Sequence, residues 1–141
     1  MKNFVHKDFE FVNLFFLENC KSHLQCGIID FQSAFKGFIG WDLISLLENP
    51  RINFTRDYND KLIEYFYNNM PIIENLDTFR EKYYVLSLAR LTRLLGRWRK
   101  LLSTNNDNKY LSYLKITKSR TIATLNNIKN YELRSMYEKY L

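Results

Sequence analysis

The sequence predicts an α+β fold that is mostly helical, with one β-hairpin near the N-terminus and about five helices after it. Two apolar runs, from Val12 to Leu17 and from Leu24 to Ile29, flank a polar turn, which is typical of a hairpin. Farther along the chain, leucines and a tryptophan recur at alternating steps of three and four residues, as on the apolar face of a helix. Only four Gly and two Pro occur in 141 residues, so few long loops are expected. We therefore expect one domain spanning residues 1–141.

The helical part of the prediction begins after Trp41. Thr78, with Glu81 three residues later, fits a capping box at the start of a long helix. The expected inner face of that helix is the stripe Leu88, Leu91, Leu95, Trp98 and Leu102. The helices are predicted over 42–47, 56–68, from 78 to a polar break at 105–108, over about 110–127 and over 131–140.

The composition indicates a cytoplasmic protein. The net charge of +6 comes largely from scattered lysines and favours no particular partner. Cys20 and Cys26 belong to no metal-binding pattern of Cys and His, and we expect them to be reduced thiols. The polar N-terminus does not resemble a signal peptide, and no apolar stretch approaches the length of a membrane helix.

Polar residues suited to metal binding flank the predicted hairpin. The segment from His6 to Asn13 has the form H-x-D-x-x-x-x-N, with Asp8 as its carboxylate, and Asp30 follows the second apolar run. In an antiparallel hairpin the start of one strand lies beside the end of the other, so Asn13 and Asp30 should lie close together. Asp8 lies on the loop that leads into the same end of the hairpin.

Two carboxylates and an amide form a set of hard oxygen ligands that suits Mg²⁺. Phosphoryl transfer uses such a set, because one carboxylate orients the attacking hydroxyl while another and an amide hold the metal at the nucleotide phosphates. Protein kinases place these groups in H-R-D-x-x-x-x-N and in the D-F-G that follows. An Asp before or after a strand is often only a turn former, but the two motifs in this order and at this separation indicate a phosphotransferase.

Several segments resemble bacterial phosphotransferases of the aminoglycoside phosphotransferase and choline kinase superfamily. Asp30-Phe31-Gln32-Ser33-Ala34, then Gly37, then the run from Trp41 to Leu47, resemble the family's DFQDA…G…YDL.SLL pattern. Residues 91–101 and 109–114 resemble two of its helical segments less specifically. The nearest branch comprises the cell-wall sugar kinases that phosphorylate N-acetylmuramate and N-acetylglucosamine. The resemblance implies the C-terminal lobe of a protein kinase-like fold.

The resemblance also implies a role for each candidate site residue. Asp8 would be the catalytic base or the carboxylate that orients the hydroxyl, and Asn13 and Asp30 would bind Mg²⁺. His6 would shape the catalytic loop without transferring protons, and Asp42 would brace that loop through backbone hydrogen bonds. The implied cofactors are Mg²⁺ and ATP, and the implied acceptor is a small molecule with a hydroxyl group, such as a sugar.

The sequence departs from the family pattern in two ways. Lys7 stands where relatives often have Gly or Arg, and Glu10 stands where many have His, which affects the expected substrate contacts but not the metal set. The family's N-terminal ATP-binding lobe has no counterpart before His6, so no cofactor-binding residue can be assigned. We therefore expect a truncated or split-gene fragment that is inactive alone and would need a separately encoded N-terminal lobe as its partner.

Two other classes of function remain as less favoured alternatives. A basic helical module that binds nucleic acid would use Arg90, Arg93 and Arg97, which are spaced along one helix face, although no recognised nucleic-acid motif accompanies them. A non-catalytic interaction protein would use an apolar face left without its neighbouring lobe. The residues expected on that face are Phe4, Phe11, Phe15 and Phe16.

Overall fold

The computed structural model describes residues 3–52, 54–105 and 107–140, and the chain divides into two compact units. The N-terminal unit is Met1–Asn49 and the C-terminal unit is Pro50–Leu141. All strands of the described residues belong to the first unit, whereas the second is helical. This composition agrees with the predicted α+β class.

Among its described residues, the N-terminal unit contains two short antiparallel strand pairs. The pair of β2 with β3 aligns Leu14 with Ile28 and confirms the predicted hairpin in a shorter form. The pair of β1 with β4 aligns Val5 with Phe35 and was not predicted. The elements of this unit are β1 (Asn3–Val5), a 3-10 turn (Phe11–Asn13), β2 (Leu14–Phe16), a second 3-10 turn (Ser22–Gln25), β3 (Cys26–Ile28), β4 (Phe35–Gly37) and α1 (Trp41–Leu47).

The two strand pairs of this unit are nested along the chain. β1 and β4 form one pair, and the strands of the other pair, β2 and β3, lie between them in the sequence. The segment 6–13 joins β1 to β2, and the segment 29–34 joins β3 to β4, so both run between the same two ladders. Few side chains of this region are buried: before α1, only Val5, His6 and Gly40 are buried among residues 3–40. The geometry of these two segments therefore depends on backbone pairing and polar contacts more than on a large apolar core.

Four helices lie among the described residues of the C-terminal unit, and their bounds are close to the predicted ones. They are α2 (Arg56–Asn69), α3 (Leu76–Asn105), α4 (Asn108–Leu125) and α5 (Tyr131–Glu138). The predicted capping box at Thr78 is wrong, because α3 begins two residues earlier. The side chain of Asn75 accepts a hydrogen bond from the Thr78 amide at 2.9 Å and supplies the cap.

The predicted inner face of α3 is correct in part. Leu88, Leu91 and Trp98 are buried, but Leu95 is only half-buried, and Leu94, 5% exposed, belongs to the core in its place. Leu95 instead borders an open pocket beside α4. The Trp98 indole N–H donates to the Thr117 hydroxyl at 3.1 Å, which joins α3 to α4. Leu102 is half-buried as well.

Basic residues of α3 do not form the single exposed face expected of a nucleic-acid module. Arg90 is 3% exposed, whereas Arg93 and Arg97 are exposed. Arg97 lies over the Trp98 ring, with its guanidinium carbon 5.7 Å from the ring centroid. Within the described residues, no helix combines the length and apolarity needed to cross a membrane.

A buried tyrosine links α2 to α3. The Tyr84 hydroxyl donates to an Asp60 carboxylate oxygen at 3.1 Å, and the Arg56 guanidinium carbon lies 5.5 Å from the Tyr84 ring centroid. Arg56 also pairs with Asp60 at 3.3 Å. Burial, with the neighbouring Asp60 carboxylate, raises the pKa of Tyr84 to about 12.

The positions of Leu94 and Leu95 predict different costs for the same truncation. Leu94→Ala should lower the free energy of unfolding by about 2–5 kcal/mol, as is usual for a buried leucine. Leu95→Ala should cost clearly less, because its side chain is only half-buried. Urea denaturation of both variants measures the difference, and a larger loss for Leu95→Ala would contradict the placement of the core face.

The raised pKa of Tyr84 predicts a loss of stability at high pH. The folded protein holds the phenol proton of Tyr84 more tightly than the unfolded chain does, because the ordinary pKa of a tyrosine side chain is 10.0. The contribution of Tyr84 to stability is therefore complete below pH 10 and is lost as the pH rises through about 12. Absorbance titration of tyrosinate should show one fewer late-titrating group in Tyr84→Phe than in the unmodified chain, and no change in Tyr131→Phe, whose side chain is exposed. An unchanged number of late-titrating groups in Tyr84→Phe would refute the assignment.

Candidate active site

The pairing of β2 with β3 brings the predicted metal ligands to one end of the hairpin. The Ile29 amide donates to the Asn13 carbonyl at 3.1 Å, which extends the ladder by one residue beyond the Leu14–Ile28 pair. Asp30 directly follows Ile29. Asn13 and Asp30 are therefore near neighbours across the two chain segments, as the hairpin argument predicts.

The loop from Asp8 to Asn13 is closed by hydrogen bonds to its own backbone. The Asn13 side-chain amide donates to the Asp8 carbonyl at 2.8 Å, and the Glu10 amide donates to the same oxygen at 2.8 Å. The Asn13 amide in turn donates to the Glu10 carbonyl at 2.8 Å. Because the Asn13 side-chain nitrogen faces the loop, its carboxamide oxygen is the atom that could act as a metal ligand.

Asp42, in the first turn of α1, holds the start of this loop. One carboxylate oxygen accepts from the His6 amide at 2.7 Å, and the other accepts from the Lys7 amide at 2.9 Å. The Ser45 hydroxyl, on the same helix, donates to the Lys7 carbonyl at 3.3 Å. Hydrogen bonds to an ionised acceptor are stronger than neutral ones, so the carboxylate fixes the backbone just before Asp8.

His6 joins the start of this loop to the segment that carries Asp30. Its ring nitrogen Nε2 lies 3.0 Å from the Ile29 carbonyl oxygen, and the side chain is only 4% exposed. A carbonyl oxygen only accepts hydrogen bonds, so Nε2 carries the proton and donates it. Nδ1 is buried without a hydrogen-bond partner among the described residues. This arrangement makes His6 a link between two backbone segments.

Two residues of the candidate site adopt left-handed backbone conformations. Lys7 has φ of 77° and Asp30 has φ of 70°. Such conformations are unfavourable for residues other than glycine by about 1–3 kcal/mol, and they persist where surrounding contacts enforce them. For Lys7 the contacts are those of Asp42 and Ser45 with its amide and carbonyl.

The three predicted site residues would suit Mg²⁺ only as part of a larger coordination set. Among the described residues, no group of three or more His, Cys, Asp or Glu side chains is placed to hold a metal ion. The predicted set has two carboxylates, of Asp8 and Asp30, and the Asn13 amide. Mg²⁺ commonly binds one or two carboxylates and completes its coordination with phosphate oxygens and water, so the donor set fits that ion.

Sequence reasoning missed two contributors to this arrangement. Ser45 lies three residues after Asp42, so both side chains extend from the same face of α1 toward the loop. The three-residue spacing from Asp42 is the sequence signal that could have identified Ser45. The Ile29 carbonyl, which receives the His6 hydrogen bond, has no signal in the sequence because any residue supplies a carbonyl.

Loss of the Asp42 carboxylate should release the start of the loop. Asp42→Ala leaves the His6 and Lys7 amides without their acceptor, and one hydrogen bond to a charged group contributes about 1.5–3 kcal/mol. Their hydrogen exchange, followed by NMR, should accelerate at least about tenfold, and Asp42→Asn should give a smaller effect because it keeps one carbonyl oxygen. Asp57→Ala, which removes an exposed carboxylate from the first turn of α2, serves as the control. Unchanged exchange in Asp42→Ala would show that these bonds do not hold the loop.

Comparison with known proteins finds distant similarity to sugar kinases. No family model matches the chain. The chain is 23% identical over 111 residues to an N-acetylmuramate/N-acetylglucosamine kinase of Caulobacter vibrioides and 28% identical over 114 residues to one of Neisseria meningitidis serogroup B. These matches cover 79% and 77% of this chain but 30% and 33% of the relatives, so the chain spans about a third of their length. Similarity to proteins with this name suggests that the chain is a kinase-like region.

Proposed function

We propose that residues 6–42 form the catalytic and metal-binding part of a kinase that transfers a phosphoryl group from ATP to a sugar hydroxyl. The observation that carries the proposal is the hydrogen bond from the Ile29 amide to the Asn13 carbonyl. It brings the H-x-D-x-x-x-x-N segment beside the segment with Asp30. The names of the two relatives support the same reaction class.

In this proposal the Asp8 carboxylate acts on the acceptor. It orients the sugar hydroxyl and accepts its proton as the oxygen forms a bond to the γ-phosphorus and the bond to ADP breaks. The Asp8 side chain is half-buried, so it remains accessible to a substrate. Its backbone carbonyl is held by Asn13 and Glu10, which limits the positions its carboxylate can take.

Asn13 and Asp30 would hold Mg²⁺ through the Asn13 carboxamide oxygen and the Asp30 carboxylate. The chemistry that Mg²⁺ would supply there is neutralisation of the negative charge that develops on the phosphate during transfer. The left-handed conformation of Asp30 supports this role, since strained backbone often occurs at functional sites. The side chain of Asp30 is exposed and so can reach a ligand in solution.

His6 and Asp42 would act as positioning residues. His6 ties the start of the loop to the carbonyl that precedes Asp30, and Asp42 fixes the two amides that precede Asp8. Catalysis of phosphoryl transfer rests mainly on positioning and electrostatic stabilisation, so these contacts would contribute to the rate without touching the substrate. Because Nε2 of His6 is engaged with a carbonyl, a role in proton transfer is not part of the proposal.

N-acetylmuramate and N-acetylglucosamine are the acceptors we propose, because both relatives carry these sugars in their names. The proposal concerns a hydroxyl of the sugar in each case. The metal site can be tested directly, because metal binding does not depend on the identity of the acceptor.

Metal binding and phosphoryl transfer should both depend on the carboxylates of the site. Mn²⁺, added with ATP, should broaden the NMR signals of amides near Asp8, Asn13 and Asp30, and Asp30→Asn should abolish the effect. With the N-terminal lobe of a sugar-kinase relative supplied in trans, transfer from ATP to N-acetylglucosamine or N-acetylmuramate, followed by phosphorus NMR, should fall by roughly 10³-fold or more in Asp8→Asn, because positioning and charge are both lost.

Asp57→Asn is the matched control, since it removes an exposed carboxylate from α2 and should leave both measurements unchanged. Absence of Mn²⁺ broadening at these amides would refute the metal site even if no transfer is detected. Transfer that survives loss of both the Asp8 and Asp30 carboxylates would refute the assignment of the catalytic residues.

A further inference from the structure

A pocket in the C-terminal unit lies between α3, α4 and the turn that follows α5. Its volume is about 180 Å³, and a cavity of about 150 Å³ in another protein is large enough for benzene. The pocket therefore has room for one six-membered ring. Its lining residues are Leu95, Gly96, Arg99, Leu114, Lys118 and Tyr140.

Gly96 has no packing reason to be glycine. It lies inside the 30-residue helix α3, where glycine is less favourable than alanine. Apart from the adjacent residues and the backbone of α3 itself, no atom lies within 4 Å of a Cβ built on it, so no packed neighbour requires its small size. What glycine preserves at this position is the open space of the pocket.

The lining of the pocket is divided between apolar and cationic groups. Leu95 and Leu114 are half-buried and supply apolar surface, whereas Arg99 and Lys118 are exposed cations on facing helices. Neither cation forms an ion pair with a carboxylate of the residues that the structure describes. Two cations beside an apolar wall suit a ligand that joins a ring to an anionic group.

Tyr140 is positioned at this pocket by the contact of α5 with α3. The Tyr137 hydroxyl lies 2.8 Å from the Thr92 hydroxyl oxygen, and the Tyr140 amide donates to the Tyr137 carbonyl at 3.0 Å. Thr92 is in turn fixed by its hydrogen bond to the Leu88 carbonyl at 2.8 Å. The ring of Tyr140 thus adds an aromatic surface beside the two leucines.

We propose that this pocket binds a small phosphate monoester that carries one ring, with the ring against Leu95, Leu114 and Tyr140 and the phosphate between Arg99 and Lys118. None of its lining residues is a proposed catalytic or metal-binding residue, and all of them belong to the unit Pro50–Leu141. This proposal goes beyond the proposed kinase reaction, and it holds whether or not that reaction occurs.

Phenyl phosphate is the probe that tests the pocket. Titration into the full chain should shift the backbone NMR signals of residues 95–99 in a saturable way, whereas inorganic phosphate or benzyl alcohol alone should bind at least tenfold more weakly. The double variant Arg99→Gln/Lys118→Gln should lose at least tenfold in affinity. Gly96→Leu should also lose at least tenfold in affinity for phenyl phosphate, because the leucine side chain fills the pocket. The melting temperature of this variant should not fall.

The matched control is Lys100→Gln/Lys115→Gln, which removes the same charge from the same two helices at positions that do not line the pocket. It should retain the affinity of the unmodified chain. Equal weakening in both double variants would overturn the proposal and show that the net charge of +6 alone attracts the anion. No saturable shift with phenyl phosphate in the unmodified chain would also overturn it.

Discussion

The nested pairing of strands is the constraint on which the candidate site depends. Each ladder contains three residue pairs among the described residues, and an isolated two-stranded pair of this size is marginal in water. The segments 6–13 and 29–34 are confined between the two ladders, and polar contacts from His6, Asn13 and Asp42 connect these segments to their surroundings. The geometry of the site therefore depends on the two short ladders and the polar contacts together, because neither would be stable enough alone.

The links within the site run mostly from side chains to backbone atoms. Asp42 binds two amides, Asn13 binds a carbonyl, and His6 binds the carbonyl of Ile29. A backbone partner is available whatever side chain it carries, so neighbouring positions can change while the arrangement is kept.

Sequence patterns predicted the elements that have a clear period and missed those that lack one. The β2–β3 hairpin and the helices follow from apolar spacing, and the closeness of Asn13 to Asp30 follows from the hairpin. The pairing of β1 with β4 joins three-residue segments about thirty positions apart and leaves no local pattern. Leu94, and not Leu95, belongs to the core. Leu95 borders a pocket, which the spacing of leucines in the sequence cannot reveal. The metal-binding and catalytic roles of the site residues stay predictions.

The distribution of buried side chains affects how folding of this protein should be judged. Most of its helices belong to the C-terminal unit, whereas the candidate site lies among short strands with few buried residues. Regions with little buried apolar surface open at lower free energy than the rest of a structure. Far-ultraviolet circular dichroism reports chiefly the helices, so a preparation or variant with native ellipticity could already have lost the ordered loop around Asp8. Only a probe placed in the first 40 residues can certify that the site is intact.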